Sequence, residues 1–391
     1  MDFESIKTPC YIINEEEYIN SINHLMNCFN GAWDNNVLFG YSIKTNHYPY
    51  LMNIAKKHKW YAEVVSKDEY DHAIANGFKS NNIILNGPNK KCFLSKAICE
   101  KGIVNLDNLD EVLFVCKNKD ILKSEIGLRV NIDLEKYVPG ETTVGKEVGR
   151  FGLCYENGDL KTAIDMLGKN NLKINGLHLH HSTSSRSLKV FKVLSKFAAK
   201  IAKEYKLSLD YIDIGGGLFG GNYFKNKPKI NEYACVISKE LRKSFNPITT
   251  KLIIEPGAAV LATSCDYLTS VINIRTIRET NVVTVDGSCL HVNPFMKPKQ
   301  QNPCTIINPG VLLKKGDLQI IGGSTCMEMD RLYPMNNKYK LNYDSKLLFH
   351  CAGAYTMTHN SNFINTLPII YVKKTNNYKQ IRRIDVKRMS E

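Results

Sequence analysis

Four sets of residues in this sequence could act together on one small molecule. Lys44 ends the apolar run "VLFGYSIK", and a lysine partly withdrawn from water is a nucleophile towards a carbonyl carbon. His178 and His180 alternate in "GLHLHH", which places both imidazoles on one face of an extended strand. The N–H groups of Gly215 to Gly217 could bind a phosphate, and Glu255 in "IIEPG" adds a carboxylate. The four sets suit a cofactor that carries an aldehyde and a phosphate.

All four sets lie in short apolar runs rich in β-branched residues, and such runs alternate with helix-compatible stretches. Between the second and third runs, a helix is predicted to bury Tyr70, Ala73 and Ile74 on one face. The eight runs cover residues 37–44, 61–66, 82–87, 102–107, 125–131, 174–180, 211–217 and 251–257. Eight such units predict a (β/α)8 TIM barrel, whose active site lies at the carboxyl ends of the strands. The four sets should therefore meet at one end of the barrel.

Past residue 257 the pattern changes, because apolar runs such as "YLTSVINIR" and "NVVTVDGS" follow one another without helical stretches. This change indicates a separate β-rich domain, so the predicted fold class is α/β plus all-β. We predict a cofactor-binding barrel domain over residues 21–264 and a C-terminal β domain, sandwich- or barrel-like, over residues 265–391. The N-terminal segment 1–20 is expected to join the β domain.

Composition favours a cytoplasmic protein over a membrane or secreted one. No apolar run approaches the roughly 20 residues of a membrane span, and the twelve cysteines are scattered without a disulfide framework. The formal net charge of +14 comes from lysines spread along the whole chain, so nucleic-acid binding is not expected. An acidic substrate or cofactor accounts for part of this charge, although an AT-rich genome would also enrich lysine.

Each of the four sets also has a plainer interpretation. Lys44 could cap a strand, Glu255 could precede a simple turn, and the glycine triplet could be no more than a turn. The paired histidines could bind a metal, but no cysteine or carboxylate lies beside them at ligand spacing, so no metal is predicted. "GGGLFG" also satisfies the dinucleotide fingerprint G-x-G-x-x-G, yet the stretch that follows is a poor helix start.

Taken in order, nine short motifs resemble those of one enzyme family. The sequence is similar to the pyridoxal-phosphate-dependent decarboxylases of the alanine-racemase-like (fold type III) barrel, which include diaminopimelate, ornithine and carboxynorspermidine decarboxylases. The motifs are "YSIKTN", "AEVVSKDE", "LNGPNK", "GRFG", "GLHLH", "DIGGGL", "EPG", "GSTCMEMD" and "GAYT". Each motif alone is weak evidence, but their order and spacing are specific and extend over nearly the whole chain.

The resemblance implies a role at the cofactor for each matching residue. Lys44 should hold pyridoxal 5'-phosphate as a Schiff base, and Glu255 should pair with the pyridine nitrogen. His180 should stack on the cofactor ring, whereas His178 is expected to fill the barrel interior. The other residues expected to bind the cofactor are Thr183, Gly215, Gly216, Gly217, Gly257 and Tyr355.

The β domain is expected to supply the remaining site residues. Cys326 in "GGSTCMEMD" resembles the cysteine that enters the partner subunit's active site and protonates the α-carbon after decarboxylation. The family therefore implies a homodimer with its active sites at the interface. The residues expected to bind the substrate are His291, Met327, Glu328 and Asp330.

Two departures from the family pattern bear on the cofactor phosphate and on the substrate. Ala258 stands where the family has a phosphate-binding arginine, and Met327 replaces an acidic residue that binds a distal amine in ornithine and diaminopimelate decarboxylases. We therefore predict α-decarboxylation, through a quinonoid intermediate, of a substituted or carboxylated diamino acid like carboxynorspermidine, in polyamine biosynthesis. Decarboxylation of diaminopimelate, ornithine or lysine is the alternative. An amino-acid racemase and a non-catalytic cofactor-binding regulator rank below both.

Overall fold

A computed structural model describes residues 3, 6–183, 185–221, 223, 226–297, 301–359, 363–374 and 377–382. It divides into two compact units. The barrel unit comprises Ile22–Gly220 and Phe224–Ala259, and the β unit comprises Met1–Ser21, Gly221–Tyr223 and Val260–Glu391. Within these described ranges, no helix is both long and apolar enough to cross a membrane.

Strands and helices alternate along the chain as far as Ile254, and mainly strands follow. The strands are β1 Cys10–Asn14, β2 Val37–Ser42, β3 Tyr61–Val64, β4 Ile83–Leu85, β5 Ile103–Leu106, β6 Glu125–Asn131, β7 Leu153–Cys154, β8 Gly176–His178, β9 Tyr211–Asp213, β10 Lys251–Ile254, β11 Cys265–Ile277, β12 Thr280–Val285, β13 Gln301–Asn302, β14 Cys304–Ile307, β15 Leu318–Gly322, β16 Tyr333–Pro334, β17 Lys346–Phe349, β18 Ile369–Lys373 and β19 Tyr378–Arg382. The α-helices are α1 Glu15–Ala32, α2 Pro49–Lys57, α3 Lys67–Ala75, α4 Leu94–Cys99, α5 Leu109–Lys117, α6 Leu134–Tyr137, α7 Asp159–Lys169, α8 Leu188–Glu204, α9 Ile230–Leu241 and α10 Ala258–Leu261.

Eight parallel strands of the barrel unit form a closed ring. Their order is β5, β4, β3, β2, β10, β9, β8 and β6, and the pairing of β6 with β5 closes it. The predicted (β/α)8 barrel is thereby confirmed, and each strand lies inside one of the eight predicted runs. Seven of the eight strands end before their runs do, because the last residues leave the sheet and form loops. These loops place the predicted site residues.

The helix α3 shows how a polar start and a narrow apolar face fix one connection of the barrel. The Ser66 hydroxyl caps it by accepting a hydrogen bond from Glu69 N at 3.2 Å. Tyr70 and Ala73 are buried as predicted, but Ile74 is 40% exposed, so the prediction for Ile74 is wrong. Ile74 lies at the edge of the buried face, near the end of the helix, and a helix this short buries only a narrow stripe.

Two glycines inside the barrel make room for one large side chain. Tyr211 begins β9 and is completely buried. A Cβ on Gly127 of β6 would lie 2.2 Å from the Tyr211 hydroxyl, and a Cβ on Gly176 of β8 would lie 2.1 Å from its ring. Both positions therefore need glycine because of packing, since no larger residue fits beside this ring.

The β unit is built on one eight-stranded sheet, as predicted for the C-terminal part of the chain. Six strands run in the order β14, β17, β11, β1, β18 and β19, while β12 pairs with both β11 and β15. β1 pairs antiparallel with β11 and parallel with β18, so the N-terminal segment supplies a central strand. Cys10, Ile12, Leu268, Leu348 and Ile369 form part of a core on this sheet.

Candidate functional site

Lys44 lies two residues beyond β2, in a turn in which Thr45 N donates to Ser42 O at 3.0 Å. Its Nζ donates a hydrogen bond to Glu63 Oε2, and the lysine side chain remains 37% exposed. The buried Glu63 carboxylate of β3 also accepts from Ser42 Oγ at 2.6 Å. Burial opposes the ionisation of Glu63, but Lys44 and hydrogen bonds from Lys44, Ser42 and Asn86 hold the pKa of its carboxyl below the usual value. The barrel thus presents Lys44 to solvent beside a buried anion.

Glu255 and Asp213 form a second acidic centre, at the ends of β10 and β9. Both are buried. Burial, followed by the charges of Asp213 and Glu63, raises the pKa of Glu255 well above its usual value, and burial raises the pKa of Asp213 to about 7. His178 Nε2 lies 3.8 Å from Glu255 Oε2. A carboxyl group in this setting can share a proton with a basic ring nitrogen, which is the chemistry predicted for Glu255.

Two buried asparagines join the acidic centres. Asn86 Nδ2 donates to Glu63 Oε1 at 3.1 Å and to Glu255 Oε1 at 2.6 Å. Asn105 Nδ2 donates to Asn86 Oδ1 at 2.9 Å and to Asp213 Oδ2 at 3.3 Å. The three carboxyl groups therefore belong to one hydrogen-bonded network, as buried polar groups require.

The glycine triplet after β9 packs tightly against its neighbours. Gly216 N donates to His180 Nδ1 at 3.0 Å, and Gly215 N donates to Asp213 Oδ1 at 2.8 Å. A Cβ on Gly215 would lie 2.5 Å from His180 Nδ1, so the imidazole fits there only because the residue is glycine. Gly217 has a φ of 86°, and its N–H has no partner in the described part of the chain. Of the three N–H groups predicted to bind phosphate, only that of Gly217 is therefore available to an anion.

Three histidines lie at the end of β8 and just beyond it. Burial first, and the Arg129 charge second, lower the pKa values of His178 and His180 well below their usual range, and that of His181 to about 4. Arg129 Nη1 itself lies 3.4 Å from Asp107 Oδ1. His180 is therefore a neutral imidazole that contacts the glycine loop, as a ring that stacks on a planar cofactor would be.

Several buried polar atoms at this end of the barrel have no hydrogen-bond partner within the described residues. They are Thr45 Oγ1, Arg129 Nε, His178 Nδ1, His178 Nε2 and His181 Nε2. Such atoms are costly unless water or a bound group satisfies them. Together with Lys44, the Glu255 carboxyl and the Gly217 N–H, they fit a cofactor that carries an aldehyde, a basic ring nitrogen and a phosphate.

Gly257 and Thr183, two more residues predicted to bind the cofactor, lie in different surroundings. Gly257 is beside the turn that carries Lys44, because a Cβ on it would lie 2.9 Å from Thr45 Oγ1. Thr183 forms an isolated β-bridge with Thr142, in the loop after α6. The structure thus brings Gly257 to the site, while the role of Thr183 at the phosphate stays a prediction.

In the β unit, Asp330 organises the segment that contains Cys326. Its buried carboxylate accepts hydrogen bonds from Ser288 Oγ at 3.1 Å and from Cys289 N at 2.7 Å. It also accepts from Thr325 N at 3.1 Å and from Thr325 Oγ1 at 2.6 Å. Cys326 follows directly and is exposed. The carboxylate oxygens of Asp330 are therefore already hydrogen-bonded within the β unit, which favours a structural role over the predicted substrate contact.

The other predicted residues of the β unit differ in exposure. Glu328 is exposed, and Met327 and Tyr355 are partly buried. His291 is buried, and its Nδ1 lies 2.5 Å from the hydroxyl of Tyr267. Burial lowers the pKa of His291 to about 4. This packing does not favour the substrate-binding role predicted for His291, whereas the roles of Met327, Glu328 and Tyr355 stay predictions.

One imidazole and two carboxyl groups, from His178, Asp213 and Glu255, place potential ligand atoms within 4.8 Å of one another. Both carboxyl groups already accept hydrogen bonds, from Asn86, Asn105 and the amide of Gly215. These bonds favour a proton-sharing acid pair over a metal centre. The predicted absence of a metal stays a prediction.

Sequence reasoning gave no role to Asn86, Asn105, Arg129 or Asp213, although all four belong to the polar interior of the barrel. Asn86 directly follows β4, and the others lie in β5, β6 and β9. A polar residue in or just after a barrel strand is the signal that could have found them, since neighbouring strand ends face one another.

With this geometry in place, the chain can be compared with known proteins. A family described as "Pyridoxal-dependent decarboxylase, pyridoxal binding domain" matches residues 19–262, more than half of the chain. The chain belongs to this family, and it is an amino-acid decarboxylase whose cofactor is pyridoxal phosphate.

Individual relatives extend the likeness over most of the chain. The diaminopimelate decarboxylase of Zymomonas mobilis is 24% identical over 377 residues, which are 93% of this chain and 86% of that protein. The diaminopimelate decarboxylase of Buchnera aphidicola is 28% identical over 361 residues, 85% of this chain and 83% of that protein. A crystal structure of diaminopimelate decarboxylase from M. jannaschii superposes with a TM-score of 0.85 at 21% identity, covering 98% of this chain and 91% of that one. This structural likeness supports the barrel and β-sheet fold.

Proposed function

We propose that this enzyme removes the α-carboxylate of a diamino acid and that diaminopimelate is its substrate. The substrate is supported by relatives named diaminopimelate decarboxylase, which match between 85% and 96% of the chain. They favour diaminopimelate, the alternative from the sequence, over the carboxynorspermidine-like substrate that the sequence ranked first. The observation that carries the chemistry is the contact of Lys44 Nζ with the buried Glu63 carboxylate at the end of the barrel.

The barrel unit would hold pyridoxal phosphate through four kinds of group. Lys44 would bind its aldehyde carbon, and Glu255 would pair with its ring nitrogen. His180 would lie against the ring, and the free N–H of Gly217 would bind the phosphate. Thr183 and Gly257 of the barrel unit and Tyr355 of the β unit are the other residues proposed for the cofactor. Gly215 and Gly216, whose N–H groups bond to Asp213 and His180, would take part by holding His180 in place.

The chain's own residues would prepare and direct the reaction. The bound cofactor supplies an electron sink for the electron pair that remains when carbon dioxide leaves. Lys44 must lose a proton to water before its nitrogen can attack an aldehyde, and the Glu63 carboxylate in contact with Nζ would hold the amine in position. The raised pKa of Glu255 lets its carboxyl share a proton with the ring nitrogen instead of remaining a solvated anion.

Cys326 would act after carbon dioxide has left, by giving a proton to the α-carbon. Its exposure, on a segment fixed by the buried Asp330, supports this role, because the thiol is presented at the surface of the β unit. We propose that the enzyme is a homodimer in which this segment enters the site of the partner subunit. The cytoplasmic location and the absence of a nucleic-acid partner stay predictions.

The residues after Cys326 support diaminopimelate by their charges. The distal end of this substrate carries an ammonium and a carboxylate, so its binding site needs an anion and a cation. The side chain of Glu328 is 98% exposed, and Arg331 Nη2 lies 3.8 Å from its Oε2. An exposed pair of this kind contributes little to stability, so both charges are available to a ligand.

Met327 favours a second candidate substrate. Its side chain cannot bind a bare distal ammonium, which needs a charged or polar partner when it is removed from water. A substituted diamino acid like carboxynorspermidine, whose longer chain would carry its distal amine past Met327, is therefore the second candidate.

The experiment that tests the proposed function is carbon dioxide release from diaminopimelate, carboxynorspermidine, ornithine and lysine. We expect the highest kcat/KM with diaminopimelate. Glu328→Gln and Arg331→Gln should each raise its KM about tenfold, the effect of roughly 1.4 kcal/mol of binding free energy. Lys315→Gln, a change at an exposed residue of the same unit, is the control and should leave KM unchanged. Fastest turnover of carboxynorspermidine would replace the substrate but keep the reaction, whereas no release from any of the four acids would contradict both candidates.

A further inference from the structure

Asn86 occupies a special position among the site residues because one amide group touches two acidic centres. It directly follows β4, is 2% exposed, and its backbone N–H donates to Val64 O at 2.8 Å. Its side-chain nitrogen donates to Glu63 Oε1 at 3.1 Å and to Glu255 Oε1 at 2.6 Å. A side-chain amide has two N–H donors, so both are used on carboxyl groups of the site.

The orientation of this amide is fixed by the residues behind it. The Tyr211 hydroxyl donates to Asn105 Oδ1 at 2.8 Å, which leaves the Asn105 nitrogen facing Asn86. Asn105 Nδ2 then donates to Asn86 Oδ1 at 2.9 Å. Because the Asn86 oxygen accepts this bond, its nitrogen must point to the two carboxyl groups. Rotating the amide would place its oxygen against two acceptors, which the network does not allow.

Each carboxyl group uses its two oxygens for different partners. Glu63 turns Oε1 to Asn86 and Oε2 to Lys44 and Ser42. Glu255 turns Oε1 to Asn86, while its Oε2 lies 3.8 Å from His178 Nε2. The amide of Asn86 thus stands between the two Oε1 atoms, so no proton can pass directly from one carboxyl group to the other there.

We propose that Asn86 is a positioning residue that keeps the Glu63 and Glu255 carboxyl groups apart and separately oriented, so that Glu63 serves Lys44 and Glu255 serves the ring nitrogen of bound pyridoxal phosphate. This inference rests on the proposed function, because it assigns Lys44 and Glu255 to the cofactor. Asn86 acts only through its two neighbours and needs no contact with the substrate. The charged groups that act on its two carboxyl partners are Lys44 and Asp213, besides the two carboxyl groups themselves, and Glu255 also faces His178, on which the Arg129 charge acts.

A purely structural role for Asn86 would have different partners. Asn175, at the opposite end of the barrel, illustrates that role, since its oxygen accepts from Ile126 N at 2.9 Å and its nitrogen donates to Asp210 at 2.7 Å. It joins a strand to a surface carboxylate and touches no residue of the proposed site. Within the part of the chain that the structure describes, the side chain of Asn86, in contrast, bonds only to Glu63, Glu255 and Asn105.

The test compares Asn86→Asp and Asn86→Ser with the matched control Asn175→Ser, all as holoenzymes. The first measurement is the pH midpoint of the visible absorbance of the bound cofactor, which a merely structural role would not move. Asn86→Ser, which adds no charge, should shift this midpoint by about 0.5 unit, because Glu255 loses the hydrogen bond that orients it. Asn86→Asp, whose added charge alone should raise the midpoint by about one unit, shows how strongly a charge at this position acts on the chromophore. Asn86→Ser should lower kcat about tenfold with little change in KM, since two hydrogen bonds to carboxyl groups are lost.

The outcomes separate this inference from the proposed function. If Asn86→Ser titrates within about 0.2 unit of the wild type and loses only thermal stability, as Asn175→Ser does, Asn86 is structural and the inference is wrong. If the wild-type protein shows cofactor absorbance and releases carbon dioxide, that result leaves the proposed function intact. If the wild type shows neither, the proposed function fails and the inference falls with it.

Discussion

The barrel unit and the β unit hold their reactive residues in opposite ways. In the barrel unit, Glu63, Asp213 and Glu255 are buried and joined by asparagine amides, and burial shifts the pKa values of Asp213 and Glu255 upward. In the β unit, Cys326 and Glu328 lie exposed on one segment. The difference indicates that the barrel prepares its chemistry internally, whereas the β unit offers side chains at its surface.

This contrast has a physical cause in the two kinds of sheet. The carboxyl ends of parallel barrel strands converge, so polar residues from distant parts of the sequence are removed from water together. The sheet of the β unit packs apolar residues such as Ile12 and Leu268 into its core, whereas Cys326 and Glu328 lie exposed outside its strands. Exposed groups of this kind remain solvated and acquire a function only when a ligand or a partner reaches them.

The change with the largest expected effect is Lys44→Ala, which removes the nucleophile of the barrel unit. Decarboxylation should fall to the background rate, and the visible absorbance of the bound cofactor should disappear. Lys229→Ala, an exposed lysine elsewhere in the barrel unit, is the control and should retain both properties. Substantial activity in Lys44→Ala would show that the barrel unit does not supply the nucleophile, and it would contradict the contrast drawn between the two units.

The next prediction concerns dimers in which the intact Lys44 and the intact Cys326 come from different chains, and here a smaller change in activity is expected. Lys44→Ala and Cys326→Ala proteins should each be inactive or nearly so. If they form hybrid dimers at random, about a quarter of the wild-type activity should return, because half the dimers contain one intact composite site. Activity that stays at the level of the separate variants, although subunit exchange is demonstrated, would contradict the shared site.

The smallest expected effect concerns the pH dependence of stability in the cofactor-free protein, where the two units should respond with opposite sign. The pKa of Asp213 is raised from 3.8 to about 7, so the stability that depends on its protonated form is lost as pH rises through that range. The pKa of His291 is lowered from 6.5 to about 4, so the stability that depends on its neutral form is lost as pH falls through that range. Each slope can reach about 1.4 kcal/mol per pH unit.

Chemical denaturation at several pH values measures these slopes. Asp213→Asn should remove a decrease in the free energy of unfolding between pH 4 and 7, and His291→Gln should remove an increase over nearly the same range. If the free energy of unfolding of both variants depends on pH as that of the wild type does, neither group is perturbed by burial.

The sequence was sufficient to predict the barrel and the convergence of Lys44, His180, the glycine loop and Glu255. The apolar patterns that mark strands and helices can be recognised over short stretches of sequence. Once eight strands are counted, the closure of the barrel determines where the ends of the strands lie. The sequence could not show that Asn86 bonds to Glu255, because the two residues are 169 positions apart and an asparagine after a strand has many possible partners. The structure supplied that partner.

The substrate-binding roles predicted for His291 and Asp330 of the β unit are not favoured by the structure, for a related reason. His291 and Asp330 lie in polar loops, where sequence cannot distinguish a ligand-binding side chain from one that fastens the loop. The structure shows His291 beside Tyr267 and Asp330 accepting bonds from Ser288 and Thr325. Both side chains are thus engaged in the fold itself.

The most direct test of the central claim is to locate the cofactor on the chain. The purified holoenzyme would be reduced with borohydride, which fixes pyridoxal phosphate to the nitrogen that holds it, and its peptides would be mapped by mass spectrometry. We predict that the label lies on Lys44, in the peptide that contains "YSIKTN". A label on another lysine, or no label in a protein that still releases carbon dioxide from diaminopimelate, would contradict the assignment of this site.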